Sequence, residues 1–264
     1  MVNAILMAFL GTLFTFGVTT LGACNIFFVR KSVSRNMQCI FLGFAAGVMV
    51  AASVWSLLIP GIERAELNGQ SSCLVVTAGF LSGVAVLLAA DHLLKKKYDA
   101  IRRGNEPVPI RKNAAMLVLA ITIHNIPEGM AVGLGFAMAA QYPDQPGLMS
   151  GALALALGIG IQNYPEGTAV ALPLVNEGMN KKRAFFLGSM SATVEPVFGV
   201  LAAALSGIAS QMMPFLLAFA AGTMIYVVVQ ELIPEARTED GNKSGTLGFM
   251  TGFLVMMILD VSLG

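Results

Sequence analysis

Two short motifs stand inside long apolar stretches of the chain, His124-Asn125-Ile126-Pro127-Glu128 and Gln162-Asn163-Tyr164-Pro165-Glu166, each followed by glycine. A third apolar stretch carries Glu195-Pro196. A carboxylate in such surroundings is costly, and its default meaning is a substrate or proton path. Pairing with a buried Lys or Arg would be a simpler explanation. It fails here, because all 16 basic residues fall in loops or at the ends of apolar stretches. Protonation would account for one isolated Glu. Three carboxyl groups beside His124, Asn125, Gln162 and Asn163 are better neutralised by a cation.

The spacing supports one shared site. On a helix, His124 and Glu128 are four residues apart and Asn125 and Glu128 three apart, so all three can face one way. Gln162, Asn163 and Glu166 repeat the pattern. Pro127 cannot donate to the carbonyl of Ile123, nor Pro165 to that of Ile161, so a kink with freed backbone oxygen is expected at each motif. One imidazole with several carboxylates and amide oxygens suits a borderline divalent ion such as Zn²⁺, Fe²⁺, Mn²⁺ or Cd²⁺. Mg²⁺ would not favour imidazole, and Cu⁺ would want sulfur. The ligand types leave the choice among the four open. A zinc protease would need HExxH or a comparable cluster. The only histidines, His92 and His124, lie in different stretches, so no enzyme is expected. Nothing in the chain calls for a resident cofactor or a nucleic-acid partner.

The elements that must hold these residues follow from composition. Of 264 residues, 56% are hydrophobic and 12% charged, against about 25% charged in a soluble domain. A surface this apolar takes lipid as its solvent. Eight stretches are long enough to span a bilayer, roughly 4–29, 38–60, 71–94, 114–140, 147–174, 184–208, 212–234 and 246–263. The longest connection is the basic stretch from Lys95 to Lys112. Arg30, Lys31 and Arg35 separate spans one and two, Lys181, Lys182 and Arg183 spans five and six, and Arg237 and Lys243 spans seven and eight. Only Arg64 falls on the other side. Basic loops face the cytoplasm, so both termini are expected outside it. Leu21-Gly22-Ala23-Cys24 resembles a lipoprotein cleavage box, but residues 1–29 contain no Lys or Arg, as a signal would require. Cys24, Cys39 and Cys73 have no metal-site or disulfide spacing and read as small apolar residues.

The chain also repeats itself. Thr77-Ala78-Gly79-Phe80-Leu81-Ser82-Gly83 matches Thr246-Leu247-Gly248-Phe249-Met250-Thr251-Gly252, with Asp91 and Asp260 following at equal distance. Phe44-Ala45-Ala46-Gly47 and Leu58-Ile59-Pro60 match Phe219-Ala220-Ala221-Gly222 and Leu232-Ile233-Pro234. The matches predict an all-α membrane protein, one domain over residues 1–264, with eight helices in a 3+2+3 inverted-repeat layout. That plan recurs in secondary transporters, whose substrate sits near the midplane. A proton- or sodium-coupled carrier of an organic cation is the alternative. It should surround its acids with aromatic faces, and only Tyr164 lies within either motif. Asp91 and His92 lie at a span end, where they read either as solvated or as receiving the ion on exit, and Asp260 near another end is open in the same way.

At HNIPEG 124–129, QNYPEG 162–167 and VEPVFG 194–199 the chain resembles the Zrt/Irt-like (ZIP) metal transporter family, and most closely its GufA-type branch. The resemblance covers essentially the whole chain. It implies inward transport of a divalent metal, zinc first, by a homodimer in many members, and a two-metal site. One ion would take His124, Glu128, Gln162 and Glu166. Its neighbour would take Asn125, Asn163 and Glu195, with Glu128 and Glu166 bridging. Some members carry Asp where this chain has Asn163, which would weaken the second position by one charge. Others carry His-Glu where this chain has Gln230-Glu231, so that a cytoplasmic-side metal stop would rest on Glu231. The stretch 95–112 lacks the histidines of many eukaryotic members, which implies a bacterial-type protein of the cytoplasmic membrane.

Overall fold

A computed structural model describes residues 2–28, 34–102, 110–176, 178–208, 210–237 and 243–263. Its helices are α1 (Val2–Cys24), α2 (Arg35–Ala52), α3 (Ile59–Leu67), α4 (Ser72–Arg102), α5 (Ile110–Gln141), α6 (Leu148–Asn176), α7 (Lys181–Met190), α8 (Val194–Ile208), α9 (Met213–Val227), α10 (Ile233–Glu235) and α11 (Ser244–Leu263). Short turns join α2 to α3, α7 to α8 and α9 to α10 into continuous rods. Among the described residues there is no strand, and six segments are long and apolar enough to cross a membrane. The chain is an all-α membrane protein. The eight apolar stretches coincide with the rods to within a few residues, apart from two extensions. One is α3, which carries the second rod on to Leu67. The other is α4, which runs to Arg102 through much of the basic stretch expected as a loop. Lys, Ala, Ile and Arg are adequate helix formers, so the helix continues where apolarity stops. Arg30, Lys31 and Arg103 lie outside the described residues.

The packing inverts that of a soluble protein. On α1, Ala4, Ala8, Thr12, Thr15 and Thr19 are buried, while Leu6, Phe9, Leu10 and Phe14 are exposed. On α11, Gly245, Gly248 and Gly252 are buried and Leu247, Met250, Leu254 and Ile258 exposed. Lipid tails are as apolar as Leu, so helices gain by bringing small residues together and leaving large ones to the tails. Two seams follow this rule with the residues that repeat in the sequence. In the seam between α2 and α11, Gly43 and Gly47 lie against the backbone of Gly245 and Phe249, and Gly248 and Gly252 against Ile40 and Phe44. In the seam between α4 and α9, Gly79 and Gly83 lie against Phe215 and Phe219, and Gly222 against Phe80. A side chain at any of these glycines would push the two backbones apart.

The irregular backbone is not where the two motifs predict it. Helices α5 and α6 run unbroken through Pro127 and Pro165. Each proline deletes one hydrogen bond, and the rest of the ladder holds. The wide turns occur instead at Ser53–Leu58 and Val228–Leu232, immediately before Ile59-Pro60 and Ile233-Pro234. The rings of Pro60 and Pro234 crowd the carbonyls of Ser56 and Gln230, four residues back. The ladder responds by reaching one residue further. Ile59 N–H bonds Val54 O, and Ile233 N–H bonds Val228 O. Such π-turns are rare and cluster at functional sites.

Candidate metal site

Helix α1 packs on α6 and α8, and α5 packs on α8, so the two motifs and Glu195 face a common interior. The motif glycines set the spacing. Gly129 lies against the backbone of Glu195, and Gly167 against the carbonyl of Thr19 and the amide of Ala23. Asn125, Gln162, Asn163 and Glu195 are 0% exposed and Glu128 is 1% exposed, while Glu166 is partly buried. The His124 side chain lies outside the described residues.

The polar groups divide into two hydrogen-bonded pairs. Gln162 Nε2 donates to Glu128 Oε1 at 2.7 Å. Asn163 Nδ2 donates to Glu195 Oε1 at 3.1 Å and to Oε2 at 3.2 Å. Thr15 donates to Glu195 Oε2, and Thr19 Oγ1 lies 3.5 Å from Oε1. Each pair joins an amide from α6 to a carboxylate on another helix. The three carboxyl groups lie within electrostatic reach of one another.

Several buried atoms keep no partner among the described residues. They are Asn125 Oδ1 and Nδ2, Glu128 Oε2, Gln162 Oε1, Asn163 Oδ1 and Glu166 Oε1. Orphaned buried polar groups are rare and expensive. Here five of the six are oxygens, and all belong to the two motifs. Acceptors gathered without donors constitute the chemistry of a cation site. Among the described residues, no three His, Cys, Asp or Glu side chains form a closed metal cage. Three of the five unpartnered oxygens belong to amides.

A cavity of about 260 Å³ adjoins the motifs. Glu128, Pro165, Glu166 and Thr168 line it, together with Arg35 and Gln38 from the start of α2 and Glu231 and Glu235 from the end of the α9 rod. Glu231 sits in the π-turn of the α9 rod. The Arg35 guanidinium is tied to the carbonyls of Glu235 and Arg237 at 3.1 and 3.4 Å.

A family model described as ZIP zinc transporter matches residues 96–260. That is more than half of the chain, and it spans both motifs and Glu195. The chain belongs to the ZIP family. It is 39% identical to the zinc transporter GufA of Myxococcus xanthus, over 93% of this chain and 94% of that protein. Zinc transporter ZIP11 of Homo sapiens is 37% identical over 99% of this chain and 98% of its own length. Zinc transporter ZIPB of Bordetella bronchiseptica is 37% identical over 97% of this chain and 81% of its own. Within the ZIP family the chain falls in the GufA-type branch.

Some site residues escaped the sequence reading. Thr15 and Thr19 were legible only as hydroxyls one turn apart in an apolar helix, a pattern that carries no ligand signal by itself. Asp260 is buried and accepts from Ser56 Oγ at 2.7 Å, so solvation does not explain it. Asp91 accepts from Tyr226 Oη at 3.4 Å. Arg64, 7% exposed, stacks over Tyr142 with Cζ 3.4 Å from the ring centroid and donates to Gln145 at 2.6 Å. It is a buried cation at the end of α3, held by neighbours other than the three acids, with its Nε left without a partner among the described residues. Cys24, Cys39 and Cys73 are free thiols.

Proposed function

We propose that this ZIP-family chain carries divalent transition-metal ions, zinc foremost, across the membrane toward the cytoplasm. The ion passes through an intramembrane site on α5, α6 and α8 with two adjoining positions. Glu128, Gln162, Glu166 and His124 form the first. Asn125, Asn163 and Glu195 form the second, with Glu128 and Glu166 between them. The observation that carries this reading is the set of donorless buried oxygens on Asn125, Glu128, Gln162, Asn163 and Glu166. Relatives over nearly the whole chain are named zinc transporters, which favours Zn²⁺ within the group that the ligand types admit.

All eight rods cross the bilayer in this proposal, with both termini outside the cytoplasm. The equivalent seams α2–α11 and α4–α9, and the two π-turns before Ile-Pro, favour the 3+2+3 inverted repeat. Direction rests on the cavity, which runs from Glu128 and Glu166 to the end bearing Arg35 and Glu235. Arg35, Arg237 and Lys243 share that end, and positive loops face the cytoplasm. Glu231 would receive the ion on its way out. A homodimer in a bacterial cytoplasmic membrane is part of the same reading. A carrier of an organic cation is disfavoured, because Tyr164, the one aromatic in the motifs, is exposed while Asn125, Glu128, Gln162 and Asn163 are buried.

The test is uptake of Zn²⁺ and Cd²⁺ into liposomes by the purified protein, with Mn²⁺ and Fe²⁺ as competitors. Uptake by the wild type and none by Glu166→Ala is expected. Normal uptake by that variant would sink the site assignment.

A further inference from the structure

The Glu195 carboxylate is more fully occupied than any other acid at the site. A carboxylate offers about four lone-pair directions. One N–H of the Asn163 amide is shared between both oxygens, at 3.1 and 3.2 Å, and Thr15 takes a further direction on Oε2. Thr19 Oγ1 stands 3.5 Å from Oε1. Thr15 also lies 3.0 Å from the carbonyl of Thr12, and Thr19 3.2 Å from that of Thr15, one turn back along α1. A charged acceptor is the stronger competitor for a hydroxyl proton. The Thr15 proton therefore goes to Glu195. Thr19, with its nearer carbonyl, is held in reserve.

The contrast lies with Glu128 and Glu166, each of which keeps a buried oxygen with no protein donor. Asn163 likewise keeps its own Oδ1 without a partner. Its N–H group points at Glu195, so the amide presents to that carboxylate the positive edge that a cation would otherwise supply. An aspartate at position 163 could not do this, since two carboxylates facing each other would repel unless an ion lay between them. The scaffold holds this arrangement closely. Gly129 seats the backbone of Glu195 against α5, and Gly167 seats α1 against α6 beside Thr19.

We propose that Thr15 is a positioning residue of the cation site. With the Asn163 amide it clasps Glu195 shut against the second cation position, so that the chain binds one divalent ion tightly and a second only when the clasp opens. This rests on the reading of Glu128, Gln162 and Glu166 as the first position. A second ion must displace the Asn163 N–H from Glu195 and turn the amide oxygen toward itself. The amide exchanges a donor face for an acceptor face, and no bond is broken other than hydrogen bonds. Thr15 sets how much that rotation costs, because it fixes the carboxylate plane against which the amide is paired.

The experiment is equilibrium dialysis of purified protein against Cd²⁺ at neutral pH, counting ions per chain. The wild type is expected to hold one ion tightly. Thr15→Val keeps the shape and removes the donor, and it should tighten the second ion by about tenfold, the worth of one charge-assisted hydrogen bond. Thr15→Ser restores the hydroxyl and should return the wild-type count. Asn163→Asp leaves α1 untouched and should also admit a second ion, so the question is answered even where Thr15→Val folds poorly. Two ions of comparable affinity on the wild type would overturn the proposal. So would a count and affinity unchanged in both Thr15→Val and Asn163→Asp. Glu166→Ala separates the two readings. If it loses the first ion while the clasp variants change nothing, the clasp fails and the site stands. If it binds as the wild type does, the site itself fails.

Discussion

Replacing Glu166 by glutamine should weaken metal binding and stabilise the metal-free protein at once. The substitution keeps the size of the side chain and removes one charge. Glu166 Oε1 has no hydrogen-bond partner among the described residues, and the carboxyl lies within electrostatic reach of Glu128 and Glu195. No protein hydrogen bond to Oε1 is lost, and a repulsion among three acids is relieved. Burying an unpartnered polar group costs about 1–3 kcal/mol, and more for a charge. The variant should recover the part of that cost that belongs to the charge, seen as a higher midpoint of thermal unfolding in detergent after chelation. With metal present the sign reverses. Removing one partner of a buried charge pair costs about 2–5 kcal/mol, which is roughly a 30- to 4,000-fold loss of affinity at 1.4 kcal/mol per decade. Isothermal titration with Zn²⁺ measures that loss on the same preparation. The wild type should gain more thermal stability from added Zn²⁺ than the variant, since a ligand stabilises by RT ln(1 + [L]/Kd). The opposition of signs is what tests the reasoning. If stability and affinity fall together, Glu166 holds the fold and the metal effect is secondary. If neither moves, Glu166 is not part of the site.

Two further outcomes follow from packing. Gly167→Leu would drive a side chain into the carbonyl of Thr19 and should cost about 1–3 kcal/mol or more, with reduced yield of folded protein. Gly17→Leu on the same helix pair meets nothing within 4 Å and should leave the unfolding midpoint unchanged or slightly raised. Arg64→Lys keeps the charge but loses the planar stack on Tyr142 and the geometry of the Gln145 bond, so it should lower the midpoint by the equivalent of about 1–2 kcal/mol. A midpoint equal to the wild type would mean that the charge alone matters there.

The residues that a cation would meet were legible because each violates its surroundings. Glu128, Glu166 and Glu195 are acids in apolar runs, and no solvent-facing role could place them there. The helical rods were legible for a related reason. Twenty apolar residues in lipid have few ways to satisfy their backbone groups other than a helix. The internal matches were visible as well, although their purpose was not. Gly79 and Gly248 read as small residues that recur by chance until each is found pressed against a neighbouring carbonyl.

Where the backbone departs from regularity could not be read from the prolines alone. Pro127 and Pro165 look like stronger breakers than Pro60 and Pro234, because they sit beside acids and glycines. The helices nevertheless continue through the first pair and widen before the second. The local cost of a proline is the same in each case. Whether it is absorbed by one missing bond or by a π-turn depends on what the neighbouring helices press against that face.

Composition and spacing by themselves determined that this chain lives in lipid, that its motifs share helix faces, and that three acids stand in apolar runs without a basic partner. These follow from solvation, which acts on each residue wherever its neighbours are. Tertiary structure decided which oxygens are left without donors and which are already taken. Glu195 and Glu166 look alike in the sequence. Yet Thr15 on α1, 180 residues away along the chain, donates to Glu195, while Glu166 keeps an oxygen that nothing among the described residues satisfies. Hydrogen bonds are short and directional, so only the assembled helices could assign them.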